Sequence, residues 1–399
     1  MVTLIKGILN GCKPITDENM LSSIEELILF TRLPGVGAAT YWQLLDRFPS
    51  IHSALQASPE ALKPFLSQEA LDTLALVRSQ KSASMAVQQV QRDMDWLQKN
   101  DITLVDTDHT AYPELLREIK RTPPLLYVKG CPASLNFPQV AIVGSRKPTP
   151  AGRDTAQAFG SDLAKSGFTI TSGLAMGIDA AAHEGAVKVK GRTIAVIGTG
   201  IDSVYPQRNS ALASEIIANG GAIVSEFPLG TDPQPQNFPQ RNRIVSGLSF
   251  GVVVVEAAVK SGSLISARYA LQQNRELFAV PGSIHNPLSR GCHALIKEGA
   301  KLVETSQDIV DELGGFLSRQ RDLLDIYKQP AENSLPKHDE LIANDLEDDV
   351  LAKLDYSPTP IDALAERTKK PIGEVMSCLL TMELKGLVAN LGAGYMRLR

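Results

Sequence analysis

The chemistry available to this chain lies in short Gly- and Ser-rich stretches that also carry cations. They are Gly144-Ser145-Arg146-Lys147-Pro148, Ser172-Gly173-Leu174-Ala175-Met176-Gly177-Ile178-Asp179, and Gly198-Thr199-Gly200-Ile201-Asp202 with Tyr205-Pro206-Gln207-Arg208-Asn209 behind it. Phe238-Pro239-Gln240-Arg241-Asn242-Arg243 follows, and then Glu256 with Ser261-Gly262-Ser263. Small residues let backbone N–H groups approach an anion, and a helix opening at such a stretch adds its positive end. Arg146, Lys147, Arg208, Arg241 and Arg243 can converge on one edge, which suits a phosphate backbone. The competing reading is that glycine serves only to turn the chain, as in any α/β protein. One loop alone favours that reading; the whole set with its cations favours anion binding.

Other chemistries find less support. Asp179 and His183 are four residues apart and could pair on a helix, but the favoured reading is that Asp179 caps the helix N-terminus and His183 makes a buried hydrogen bond. Glu256 ends an apolar run and is read as fixing Arg or backbone N–H groups. His285 and His293 lack metal-ligand spacing, and Cys12, Cys131, Cys292 and Cys378 form no Cys-x-x-Cys pair, so no metal is expected. The first loop lacks G-x-G-x-x-G, the second strand ends without an acid for a ribose, and no Walker A pattern appears. No cofactor is expected.

The elements that must position these stretches alternate in type. Short apolar strands are predicted at Val140–Val143, Thr169–Thr171, Thr193–Ile197, Ala222–Ser225, Gly251–Val255 and Leu277–Val280, with a lead-in at Ile102–Val105 and Leu125–Lys129. Helices are predicted at Ala151–Ser166, Asp179–Lys188, Asn209–Ala218 and Leu264–Gln273. Val252-Val253-Val254-Val255 fits a strand buried on both faces. Such alternation implies an α/β, doubly wound parallel sheet, which binds ligands at the carboxyl ends of its strands. This region spans 83–319.

Residues 19–78 read as a helical domain. Its Leu33-Pro34-Gly35-Val36-Gly37 turn resembles a helix-hairpin-helix, whose amides could touch phosphate although few basic residues flank it; the main alternative is a helical domain that packs or orients partners. Residues 329–340 read as a linker. Residues 341–399 follow the winged-helix order, helices then a hairpin around Gly392-Ala393-Gly394. The recognition helix expected there, Gly373 to Lys385, carries Glu374 and Glu383, which favours partner contact over duplex binding. The net charge is −4, so nucleic-acid binding would need locally clustered cations. No signal-peptide core and no membrane-length apolar run are seen, and scattered cysteines fit a reducing compartment. A soluble, cytoplasmic protein is expected, with no membrane partner.

Taken in order, Gly-Ser-Arg-Lys-Pro, Ser-Gly-Leu-Ala-x-Gly-Ile-Asp-x-x-x-His, Phe-Pro-x-Arg-Asn-Arg and Val-Val-Glu-Ala-x-x-x-Ser-Gly-Ser-Leu-Ile resemble the signature of the DprA/Smf family. The likeness is strong from about Pro113 to Leu313 and loose in the flanking domains. It implies an extended Rossmann-like fold flanked by a helix-hairpin-helix/SAM-like domain and a winged helix. It also implies a non-enzymatic single-stranded DNA-binding protein that protects incoming DNA and loads RecA during natural transformation, acting as a homodimer and alongside single-strand-binding protein. DNA contacts are expected from Gly144, Ser145, Arg146, Lys147, Ser172, Gly173, Gly198, Gly200, Arg208, Arg241, Asn242, Arg243, Ser261, Gly262 and Ser263. The family often has lysine after Tyr-Pro; Gln207 stands here, with Arg208 one position along. Ile296 and Leu302 are carried over as the dimer and RecA surface, the alternative being that both face the core. The runner-up function is a nucleotide-processing hydrolase like the phosphoribohydrolases, suggested by Glu256 beside Ser261-Gly262-Ser263. Against it, their Pro-Gly-Gly-x-Gly-Thr loop is absent.

Overall fold

The computed structural model describes residues 21–315, 350, 353–354, 359–384, 388–390 and 394–397. The proposed linker 329–340, Cys12, and the side chains of Glu374 and Glu383 lie outside the described residues. The chain divides into two compact units, Met1–Leu323 and Leu324–Arg399.

The first unit opens with helices α1 (Ser23–Thr31), α2 (Ala38–Leu45), α3 (Ile51–Gln56), α4 (Pro59–Leu62), α5 (Gln68–Gln80) and α6 (Met85–Lys99). Serine side chains start most of them: Ser22, Ser50, Ser58, Ser67 and Ser84 each accept a first-turn amide. α2 is the exception, starting at Gly37 with no side-chain cap. Next come β1 (Ile102–Asp106), α7 (Glu114–Arg117), β2 (Leu125–Gly130), β3 (Gln139–Gly144), α8 (Pro150–Lys165), β4 (Thr169–Ser172), α9 (Ile178–Lys188) and β5 (Thr193–Val196). The series continues with α10 (Ser210–Ala218), β6 (Ala222–Ser225), α11 (Asn237–Gly247), β7 (Gly251–Val255), α12 (Ser263–Gln272), β8 (Glu276–Ala279), α13 (Arg290–Lys297) and β9 (Lys301–Leu302).

The sheet order is β1-β2-β6-β5-β4-β3-β7-β8-β9. From β6 to β9 all pairings are parallel. The lead-in departs from the parallel expectation: β1 and β2 pair antiparallel, and β2 joins β6 antiparallel. The connection through α7 returns the chain beside β1 in the opposite direction, whereas each parallel neighbour is reached by a helical crossover that restores the direction. The chain winds outward from β3 to β6, then returns to lay β7 against β3. That reversal puts the topological switch between β3 and β7.

Side chains of β7 alternate between two cores. Val252 and Val254 join Ile244, Val245, Ala267, Ala270 and Leu295 on the face covered by α11, α12 and α13. Val253 and Val255 join Phe159, Leu163, Ile178 and Ala182 under α8 and α9. Burial on both faces is why this strand reads as unbroken valine. A third core runs from Leu27, Phe30 and Leu74 of the helical segment to Tyr127, Ile197 and Ile223 of the sheet. The helical segment and the sheet therefore share one core.

The second unit shows α14 (Ile361–Thr368), α15 (Ile372–Leu384) and an antiparallel pair, β10 (Val388–Asn390) with β11 (Tyr395–Arg397). Leu364, Val375, Leu379, Val388 and Tyr395 form its core. No helix of the described residues is long and apolar enough to cross a membrane.

Candidate nucleic-acid interface

At the carboxyl ends of β3 and β7 lies a crevice of about 730 Å³. Gly144, Ser145, Arg146 and Lys147 line it from the β3 loop, Gly173 and Asp179 from the β4 loop, Phe238, Arg241 and Asn242 from α11, and Ser261, Gly262 and Ser263 from the start of α12. Most of the residues expected from sequence thus meet at the switch point.

The β3 loop is held from below by Glu256. Its carboxylate accepts from the Thr149 amide at 2.8 Å, from Thr149 Oγ1 at 2.6 Å and from Asn286 Nδ2 at 3.2 Å. Its carbonyl accepts from the Ser145 amide at 2.7 Å. Thr149 in turn caps α8, where Pro150 occupies the first turn. Glu256 is absent from the crevice lining. It positions a loop, as the sequence suggested, with backbone and threonine donors in place of an arginine.

Asp179 does similar work for the β4 loop. It accepts from the amides of Gly173 at 3.1 Å and Ala175 at 3.4 Å. It therefore ties down the loop before α9 and is not the helix cap expected from sequence, since α9 starts at Gly177 with no side-chain cap. Burial pushes its carboxyl above the usual range, and the Arg241 guanidinium and those amides pull against that. His183 turns away to Thr193, with Nδ1 at 2.6 Å from Oγ1. The two do not form an acid–base pair.

Backbone amides, the donors emphasised by the sequence, are mostly engaged within these loops. The Lys147 amide donates to Ser145 Oγ, and the Ser263 amide to Ser261 Oγ. What faces solvent is cationic and aromatic. Arg146 and Lys147 are exposed. The Arg146 guanidinium lies 5.3 Å from the centroid of the Phe238 ring, within cation–π range. Tyr205, 46% exposed, sits 5.7 Å from Phe238, centroid to centroid. This aromatic pair was missed as a functional feature of the sequence. The signal available was Tyr205 and Phe238 each standing before proline beside an arginine-bearing loop.

Other expected residues go elsewhere. Ser172 is fully buried and donates to the Ile142 carbonyl at 2.6 Å. Gly198 packs against Phe238, and the Gly200 amide donates to the Thr231 carbonyl at 2.9 Å. Neither Gly198 nor Gly200 lines the crevice. Arg208 is exposed but lies outside the lining. Arg241 lines the crevice yet is buried, donating to the Val196 carbonyl. Burial draws its pKa down to about 10, so it is still cationic at neutral pH. Arg243 is 4% exposed, pairs with the buried Glu226, and lies on the opposite side of α11. The cause is helical geometry. A loop could aim Arg241 and Arg243 together, but two positions along a helix turn side chains to nearly opposite faces.

His285 caps a turn through its amide to Ser283 Oγ, and His293 Nε2 contacts the Gly282 carbonyl at 3.0 Å. Among the described residues no group of three or more His, Cys, Asp and Glu could hold a metal. Leu302 is 45% exposed on the edge strand β9, and Ile296 is half-buried against the α11–α13 core.

Residues 103–314 match the family described as DNA recombination-mediator protein A, and 329–394 match the DprA winged helix domain. The chain belongs to the DprA/Smf family. It is 42% identical to protein Smf of Escherichia coli K12 over 326 residues, 82% of this chain and 85% of that protein. It is 47% identical to DNA processing protein DprA of Streptococcus pneumoniae over 202 residues, 51% of this chain and 71% of that one. The X-ray structure of DprA from S. pneumoniae superposes with a TM-score of 0.57 at 35% identity, covering 73% of this chain and 98% of that one. The DprA likeness accounts for the Rossmann-like sheet, and the matching winged helix domain for the second unit.

Proposed function

We propose that the crevice between β3 and β7 binds the backbone of single-stranded DNA. In this reading the chain protects incoming DNA and presents it to RecA during natural transformation, as a cytoplasmic homodimer that works alongside single-strand-binding protein. Residues 83–319 would carry the DNA, with the helices of 19–78 sharing their core and 341–399 as a flanking domain. The observation that carries the DNA reading is the juxtaposition in one crevice of exposed Arg146 and Lys147 with the Tyr205–Phe238 pair. Cations hold phosphates, while aromatic faces stack bases with little regard to sequence. The α12 dipole adds positive potential at Ser261–Ser263. The recombination role is supported by the family's description as a recombination mediator. Exposed Leu302 on an open edge strand supports a twofold partner.

The hydrolase reading loses its main feature, since both Glu256 oxygens are occupied by Thr149 and Asn286 donors. We assign no catalytic step. The test is oligo-dT binding measured against salt. Arg146→Ala should weaken binding and reduce the log–log salt slope by about 0.7, the value for one lost phosphate contact. Unchanged affinity and slope in a folded variant would place the DNA elsewhere.

A further inference from the structure

On the far side of α11 lies a second groove, of about 800 Å³, between that helix, α12 and the N-terminal hairpin. Its walls include Gly37 through Thr40, Lys120, Arg121 and Arg243. The amides of Ala38, Ala39 and Thr40, the first turn of α2, have no hydrogen-bond partner among the described residues. Every other helix of the N-terminal segment has a serine cap at this point. Gly37 has φ −156° and ψ −174°, extended backbone open to any residue, and a Cβ built there meets nothing within 4 Å. The fold does not need glycine at this position, but a ligand approaching the amides of α2 would.

Two further observations point to an anionic ligand. Lys120 and Arg121 are exposed and have no carboxylate partner among the described residues. Few cations flank the hairpin in sequence; the fold supplies them from the α7–β2 connection. The Trp42 indole donates to the Thr122 carbonyl at 2.8 Å, which ties α2 to that connection. The second observation is Arg243, which lines the groove at 4% exposure and keeps an Nη1 with no hydrogen-bond partner among the described residues. Cations and free amides together are the elements of a phosphate site.

The groove and the crevice share α11 as a common wall. Phe238, Arg241 and Asn242 face the crevice; Gln236, Gln240 and Arg243 face the groove. We propose that the groove is a second phosphodiester site for the same single strand, which leaves the crevice, crosses α11 and docks on the hairpin amides. The proposal rests on the crevice reading.

Binding of oligo-dT of about 6 and about 30 nucleotides separates the two sites, because site sizes of this order bracket one and two contacts. Lys120→Glu combined with Arg121→Glu should lower affinity for the long oligonucleotide about tenfold and reduce its salt slope by about 1.4, while the short one binds as before. Gly37→Val alters no charge and should also weaken only the long one. Folded variants that bind the long oligonucleotide normally would overturn the proposal, as would equal losses on both lengths. Failure of the crevice reading shows separately, as an Arg146→Ala protein that binds the short oligonucleotide unchanged.

Discussion

At His183 burial decides the protonation state. Thr193 Oγ1 donates to the Ile170 carbonyl, so it accepts from His183, and the network assigns the proton to Nδ1. Desolvation, with the nearby Arg241 charge, lowers the pKa from 6.5 to about 3. Between those values the unfolded chain binds a proton that the native state refuses. Stability contributed here is complete above pH 6.5 and falls as pH drops toward 3, by about 2 kcal/mol at pH 5. Urea unfolding at pH 7 and pH 5 should show this loss, and His183→Gln should show a smaller one. An identical pH dependence in the variant would mean that burial does not lower the His183 pKa. The residue types at the site were legible: Arg146, Lys147, Gly173, Asn242 and Ser261 reach the crevice as their spacing suggested. The donors that remain available were not. Hydrogen bonds such as Ser145 N–H to the Glu256 carbonyl join residues distant in sequence, and they determine which amides are left for a ligand.

Among the elements, the strands and crossover helices were readable because period and burial agree. The valine run Gly251–Val255 matches its predicted bounds. α11 was not readable. Pro239 and a polar stretch disguise a helix that begins at Asn237, although proline is tolerated in a first turn. Reading the segment as a loop grouped Arg241 with Arg243; reading it as a helix separates them into two grooves. The antiparallel β1–β2 pair also escaped, since strand direction depends on the path of a connection rather than on residue type. The other open element is β9, which ends the sheet with an exposed Leu302. An edge of this kind exposes unpaired backbone groups and gains from a partner. Leu302→Glu should therefore give a folded monomer in sedimentation that loads RecA poorly past single-strand-binding protein. Ile296→Glu is a less selective probe, because Ile296 also packs on the core. A Leu302→Glu protein that remains dimeric and active would move the interface off this edge.

For the whole molecule, the formal charge of −4 conceals a division of labour. Acidic groups such as Glu256, Asp179 and Glu226 are turned inward to hold loops or pair with Arg243. Arg146, Lys147, Lys120 and Arg121 stay exposed along the two grooves. Net charge governs solubility, and the local arrangement governs phosphate binding. The shared core of helices and sheet keeps both grooves within the first unit. The central claim is that single-stranded DNA lies in the crevice at the β3–β7 switch point. Photocrosslinking of the full chain to an oligonucleotide carrying halogenated pyrimidines tests it most directly, because such bases couple to the aromatic rings they stack on. The account predicts crosslinked peptides that contain Tyr205 or Phe238, lost when both are replaced by leucine. Crosslinks confined to residues 329–399, with none in the crevice, would contradict it.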